Sequence, residues 1–172
     1  MNFTPYKPQY FSLIHKWHID DEINRKIGYD KKPTEQETKS LLDIWLNDEK
    51  RVLFLIEHHN QIIGYVTLGE INKQYETAIL HTTIGEKKFL GQKVCVEVID
   101  EILDYAFNTL ELYRVTTYVM SNNPKLIETA KKYGWTQEGI MKDIIKLNGK
   151  RINYNIFRML KTEFKKRGLI CQ

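Results

Sequence analysis

A chain of 172 residues, 42% apolar and 28% charged, can bury a core without disulfide or metal staples, and fits one domain over 1–172. A net charge of +4 suits a polyanionic ligand or plain solubility, but the basic end Lys161-Thr162-Glu163-Phe164-Lys165-Lys166-Arg167 lacks the interleaved aromatics of a nucleic-acid binder and reads as a frayed, solvated tail. No apolar run approaches the roughly 20 residues of a membrane span, no signal-peptide pattern opens the chain, and Cys95 and Cys171 lie far apart, so a reducing cytoplasm is expected.

Residues 10–18 place Phe11, Ile14 and His18 on one stripe, as a short amphipathic helix does. The polar stretch from Asp20 to Pro33 reads as a loop or frayed helix. Thr34 and Glu37 form a capping-box pattern, and Leu41, Ile44 and Trp45 continue a second helix. The period then changes. Arg51–Glu57 and Ile62–Leu68 are strands around a turn at His59-Asn60-Gln61, and a third strand runs from about Tyr75 to Ile84.

From Gln92 to Asn108 the spacing of Val94, Val98, Ile102 and Tyr105 is helical, and Tyr113–Met120 alternates as a strand. Asn123-Pro124 opens a further helix, which Gly134 ends. Gly139–Leu147 and Arg151–Leu160 flank Asn148-Gly149, a strong hairpin signal. The order β-α-α-β-β-β-α-β-α-β-β implies an α+β domain with a mixed sheet, helices on both faces and a closing hairpin.

Three segments carry a resemblance over nearly the whole chain. They are Ile84-Gly85-Glu86-Lys87-Lys88-Phe89-Leu90-Gly91-Gln92-Lys93-Val94-Cys95-Val96-Glu97, then Asn123-Pro124-Lys125-Leu126-Ile127 continuing to Lys132-Tyr133-Gly134-Trp135, and Glu138–Asp143 with Asn148-Gly149-Lys150 and a strand ending Arg158-Met159-Leu160. In this order they resemble the GNAT superfamily, in particular its branch of ribosomal-protein N-terminal, amino-sugar and spermidine acetyltransferases. The resemblance implies an N-acetyltransferase that moves acetyl from acetyl-CoA, without a metal, to a primary amine on an amino-sugar, a polyamine or a protein N-terminus. It leaves room for a homodimer. The alternative is an acyl-CoA-binding regulatory module with impaired catalysis.

A loop entering a helix offers several N–H groups and the positive end of the helix dipole, which suits a pyrophosphate. The resemblance implies that Phe89, Leu90, Gly91, Gln92, Lys93 and Val94 surround it. It also implies that Thr83 and Ile84 pair with the pantetheine arm through their backbone, that Asn123 contacts the arm, and that Lys132 reaches the phosphates. The family's loop reads Gln/Arg-x-x-Gly-x-Gly/Ala; here Lys88-Phe89-Leu90-Gly91-Gln92-Lys93 keeps Gly91 and places a lysine at the last position.

The family's usual catalytic groups are replaced. The tyrosine proton donor corresponds to Ala130, the serine used by some members to Leu126, and the third-strand glutamate to Ile79. His81, on the same strand face as Ile79, is the candidate base, since an unperturbed imidazole titrates near pH 6.5. Glu76 is a weaker candidate, and Tyr133 is expected to pack. Trp17, Asp20, Asp21, Glu22 and Tyr29 fall where the family builds its acceptor pocket, and the acidic trio would suit a cationic amine or a solvated loop. His15 and His18, three apart on a helix, lack an evident third metal ligand.

Overall fold

The computed structural model of the protein describes residues 1–90 and 94–167. Alternating and β-branched segments pair into one seven-stranded sheet, β1 (Asn2–Pro5), β2 (Val52–His58), β3 (Gln61–Asn72), β4 (Thr77–Ile84), β5 (Arg114–Met120), β6 (Thr136–Leu147) and β7 (Lys150–Leu160). Their spatial order is β1-β2-β3-β4-β5-β7-β6. Only β4 and β5 run parallel, and the remaining neighbours are antiparallel. The sheet is therefore mixed, as expected, and it has a closing hairpin in which Asn148 and Gly149 take φ of 48° and 76°.

Helices cover both faces, so the central strands cannot alternate cleanly, and β3 is buried almost continuously from Ile63 to Gly69. On one face α4 (Val94–Asp104) and α5 (Pro124–Tyr133) pack Val98, Ile102, Leu103 and Tyr133 onto Val66, Leu68, Leu80, Val115 and Phe157. On the other, α1 (Phe11–Ile19), α2 (Asp21–Lys26) and α3 (Glu35–Leu46) pack Ile14, Trp17, Ile23 and Leu42 onto Leu53, Leu55 and Tyr65. Each core belongs to one face, so the sheet itself is the partition between two chemically different sides of the molecule.

Some local structure departs from the sequence reading. The Asp20–Pro33 stretch contains a true helix, α2, because Asp20 caps it by accepting from the Glu22 and Ile23 amides and Ile23 anchors it in the core. The basic end is no frayed tail: α6 (Lys161–Arg167) begins where the Leu160 amide donates to Glu163, and the Phe164 ring lies 5.6 Å from Phe107. An aromatic anchor overrides a charged composition there.

The capping box of α3 is present, with the Glu37 amide donating to Thr34 Oγ1 at 3.2 Å and the Thr34 amide to Glu37 Oε2 at 2.7 Å. Thr34→Ala is expected to lower stability by about 1 kcal/mol, seen as a lower urea midpoint at unchanged slope.

Candidate active site

The parallel β4–β5 ladder is short. It runs from Thr77↔Arg114 to Leu80↔Thr117 and stops, while β4 continues to Ile84 and β5 to Met120. At the last rung the Thr117 hydroxyl donates to the Leu80 carbonyl at 3.0 Å, a side chain taking the acceptor there. Beyond this fork β4 remains bonded to β3 through Ile84↔Gly64. The backbone groups of residues 81–84 that face β5 have no strand partner, which an internal strand rarely tolerates. Inside the same stretch the Thr82 hydroxyl is buried with no partner among the described residues. An extended ligand bearing amides fits such a slot, since it supplies the missing bonds.

The loop that leaves the fork is held from below. The Gly85 and Glu86 amides both donate to Ile63 O, and Gly85 lies so flat on Trp17 that a Cβ there would come within 2.0 Å of the indole. Trp17 Nε1 donates to Glu86 Oε1 at 3.0 Å, Lys16 Nζ to the same oxygen at 3.1 Å, and Lys87 pairs with Asp20 at 2.7 Å. The turn at Lys87–Phe89 is thereby fixed to α1 and to the cap of α2 before the chain reaches α4.

Of the residues expected around a pantetheine-diphosphate, Thr83, Ile84 and Val94 are buried, and half-buried Phe89 and Leu90 pack on the α4-side core. Gly91, Gln92 and Lys93 lie outside the described residues. Asn123 follows β5 at the open end of the fork, where its side chain caps α5 by accepting from the Leu126 amide at 3.2 Å. Lys132 stands in the last turn of α5, paired with Glu128 at 2.7 Å, roughly 13 Å along the helix from Asn123. The structure thus puts Thr83 and Ile84 on the parted length of β4, Asn123 just past the end of β5 and Lys132 a helix length away.

His81 is the first β4 residue past the last rung, and it opposes Thr67 across β3. His81 is an exposed residue, yet its pKa is lowered, first because neighbouring atoms displace water and then by Arg51, with Glu70 opposing. The ring is therefore neutral at pH 7 and able to accept a proton. The positions that lack the family's usual groups are inert: Ala130 is buried, and Leu126 is a surface residue. Tyr133 packs in the core with its hydroxyl on the Asp100 carboxylate of α4.

On the α1 side of the fork lies a cluster of which sequence inspection named His18, Thr83 and Tyr29, in other roles, but not Tyr65. His18 is fully buried, with Nε2 2.9 Å from the Tyr65 hydroxyl, and Nδ1 has no partner among the described residues. Tyr65 in turn bonds Thr83, its rung partner on the free part of β4. Burial drives the His18 pKa from 6.5 to about 4. A histidine that folds neutral stabilises the fold fully above its unfolded pKa near 6.5, and that stability is lost as pH falls toward the folded value. Urea titrations from pH 7 down to pH 4 should show a loss of about 3 kcal/mol that His18→Gln removes.

The His15 ring bonds the Thr38 hydroxyl at 2.9 Å, so His15 and His18 serve different partners. Among the described residues no group of three or more His, Cys, Asp or Glu comes together, and no helix is long and apolar enough to cross a membrane. The acidic trio is committed to cations: Asp20 to Lys87, Asp21 to Lys32, and Glu22 to Lys26.

Residues 7–156 match the family model for the acetyltransferase (GNAT) domain. The chain belongs to the GNAT acetyltransferase family. It is an acetyltransferase of that family, with acetyl-CoA as donor. An N-acetyltransferase 9-like protein of Caenorhabditis briggsae is 25% identical over 91% of this chain and 87% of its own length. A spermidine N(1)-acetyltransferase of Vibrio cholerae is 25% identical over 77% of this chain and 76% of its own. The crystal structure of spermidine N-acetyltransferase from Vibrio cholerae in complex with CoA and spermine superposes with a TM-score of 0.86 at 21% identity, covering 95% of this chain and 97% of that one. That likeness is one of fold.

Proposed function

We propose that this acetyltransferase acylates a primary amine by direct attack at the fork, with His81 as the base. The carrying observation is the position of His81 at the first residue where β4 and β5 part, on the face of the sheet opposite α4. Donor and acceptor then reach one point from opposite sides of the sheet. An alkyl ammonium loses its proton only above about pH 10 in water, so a neutral imidazole at the fork, directly or through one water, is the group that frees the attacking lone pair. The thioester contributes an acyl group with a thiolate leaving group. The chain's own part is to hold the thioester in the slot through residues 81–84, with Asn123 at its mouth, and to remove the proton.

The acceptors in view are an amino-sugar, a polyamine and a protein N-terminus, and the spermidine acetyltransferases among the relatives support an amine in general. A cytoplasmic setting fits two distant cysteines. A homodimer fits the exposed Ile140, Met141 and Ile144 on edge strand β6.

A thiol-release assay with acetyl-CoA and a panel of amines tests the reading. Release that depends on the amine supports it. Tight acetyl-CoA binding with no turnover on any amine overturns it.

A further inference from the structure

Arg51 stands one residue before β2 and two before Leu53, on the face of the sheet that α1 and α3 cover. Its side chain crosses β3 at Gly69, where a Cβ would come within 2.5 Å of Nη1 and 2.7 Å of Cζ. A glycine at 69 is what leaves room for that course. The guanidinium lies against the Trp45 ring of α3, 5.8 Å from its centroid, and Nε donates to Asp48 Oδ2 at 3.3 Å. The side chain is 18% exposed, and among the described residues Nη1 and Nη2 have no hydrogen-bond partner. A planar fork fixed by a ring and by Nε, with both outer nitrogens unused, has the shape that receives a carboxylate bidentately.

Gly69 opposes Ile79 and Thr67 opposes His81, so His81 is the diagonal neighbour of Gly69 on the same face. Such neighbours stand roughly 7–8 Å apart, and the Arg51 charge is felt at the His81 ring. Glu70 follows Gly69 at φ 51°, where β3 slips register against β4. It acts on the same ring in the opposite sense, is exposed, and forms no ion pair among the described residues. His81 is thus flanked by a cation and an anion that are not paired with each other. A polycation would meet Arg51 as repulsion, and an amine without a carboxylate would leave the fork empty. A zwitterion uses both charges. Two hydrogen bonds of about 2.9 Å, joined by the short link between an α-amine and its carboxylate, fit the span from His81 to the guanidinium.

We infer that Arg51 receives a carboxylate of the acceptor, and that the acceptor is a free α-amino acid whose amine lies between Glu70 and His81. This rests on the proposed amine acetylation with His81 as base and names its substrate class. The ammonium gives one proton to His81, its nitrogen bonds the acyl carbon as the C–S bond breaks, and the second proton ends on the departing thiolate. The product is an N-acetyl amino acid, which keeps the carboxylate and loses the positive charge.

The test compares alanine and leucine with alaninamide, leucinamide and spermidine as acceptors for the full chain at saturating acetyl-CoA. Each amino acid is expected to exceed its own amide, and spermidine, in kcat/KM by about tenfold or more. Arg51→Gln is expected to erase that preference through KM for the amino acid, with kcat moving less because the fork does not touch the amine. Arg51→Lys, which keeps the charge without the fork, is expected to recover part of the loss. An amide or spermidine equal to or better than the amino acids overturns the inference and leaves amine acetylation standing, as does a preference that survives Arg51→Gln. If none of the amines releases thiol, amine acetylation itself fails. Equilibrium binding of leucine and leucinamide to acetyl-CoA-loaded protein then decides the role of Arg51, and leucinamide binding as tightly as leucine overturns it.

Discussion

Gly64→Ala is expected to destroy the proposed donor slot at the fork. A Cβ at Gly64 would stand 2.1 Å from the Thr83 carbonyl oxygen and 3.0 Å from Ile84 Cα, and both atoms belong to the part of β4 that has left β5. Neither can step aside. Ile84 is the rung partner of Gly64 itself, and the next residue, Gly85, is pressed onto Trp17. Overpacking against side chains costs about 1–3 kcal/mol because side chains repack; here the obstacle is backbone, so a loss at or above the top of that range is expected from urea unfolding. Protein that still folds should show a KM for acetyl-CoA raised at least about tenfold, since residues 83–84 must move. Gly139→Ala is the control. Its Cβ would meet only Ile156 Cδ1, at 3.8 Å, and its effect should stay within about 0.5 kcal/mol.

His81→Ala is expected to lower kcat/KM for the amine by roughly 10²–10⁴-fold, the usual contribution of a general base, with the KM for acetyl-CoA nearly unchanged. The lowered pKa of His81 sets the sign of the pH dependence. The ring stays neutral to below the ordinary histidine range, so the base-competent form is full at pH 7 and is lost only as pH falls under about 6.5. The acidic limb of the kcat/KM profile should therefore lie below that value and be absent in His81→Gln. A loss under tenfold, or an acidic limb that survives the substitution, would show that water or another group takes the proton.

The fold was legible because its signals are local. Thr34 and Glu37 are three apart, Asn148-Gly149 is a dipeptide, and the helical spacing of Val94, Val98 and Ile102 needs no partner to be seen. Three things were not legible. The anchoring of α2 and the docking of Phe164 depend on contacts with residues remote in sequence, Ile23 with the α1-side core and Phe164 with Phe107. The fork itself is a missing pairing, and a sequence records which residues favour strands but not where two strands cease to touch. The pairing of Asp20 was hidden for the same reason, because Lys87, which takes it, is 67 positions away.

Amide hydrogen exchange with and without acetyl-CoA bears most directly on the fork as the donor slot. The β4 amides that face β3 are protected already, but those that face β5 beyond Leu80 have no strand partner, and a bound amide-bearing arm would occupy them. Slowed exchange in peptides covering 81–84 and 118–123, with the 139–155 hairpin unchanged, is the predicted result. Acetyl-CoA that binds without slowing exchange in 81–84, or that protects a different part of the sheet, would place the donor elsewhere and contradict the account.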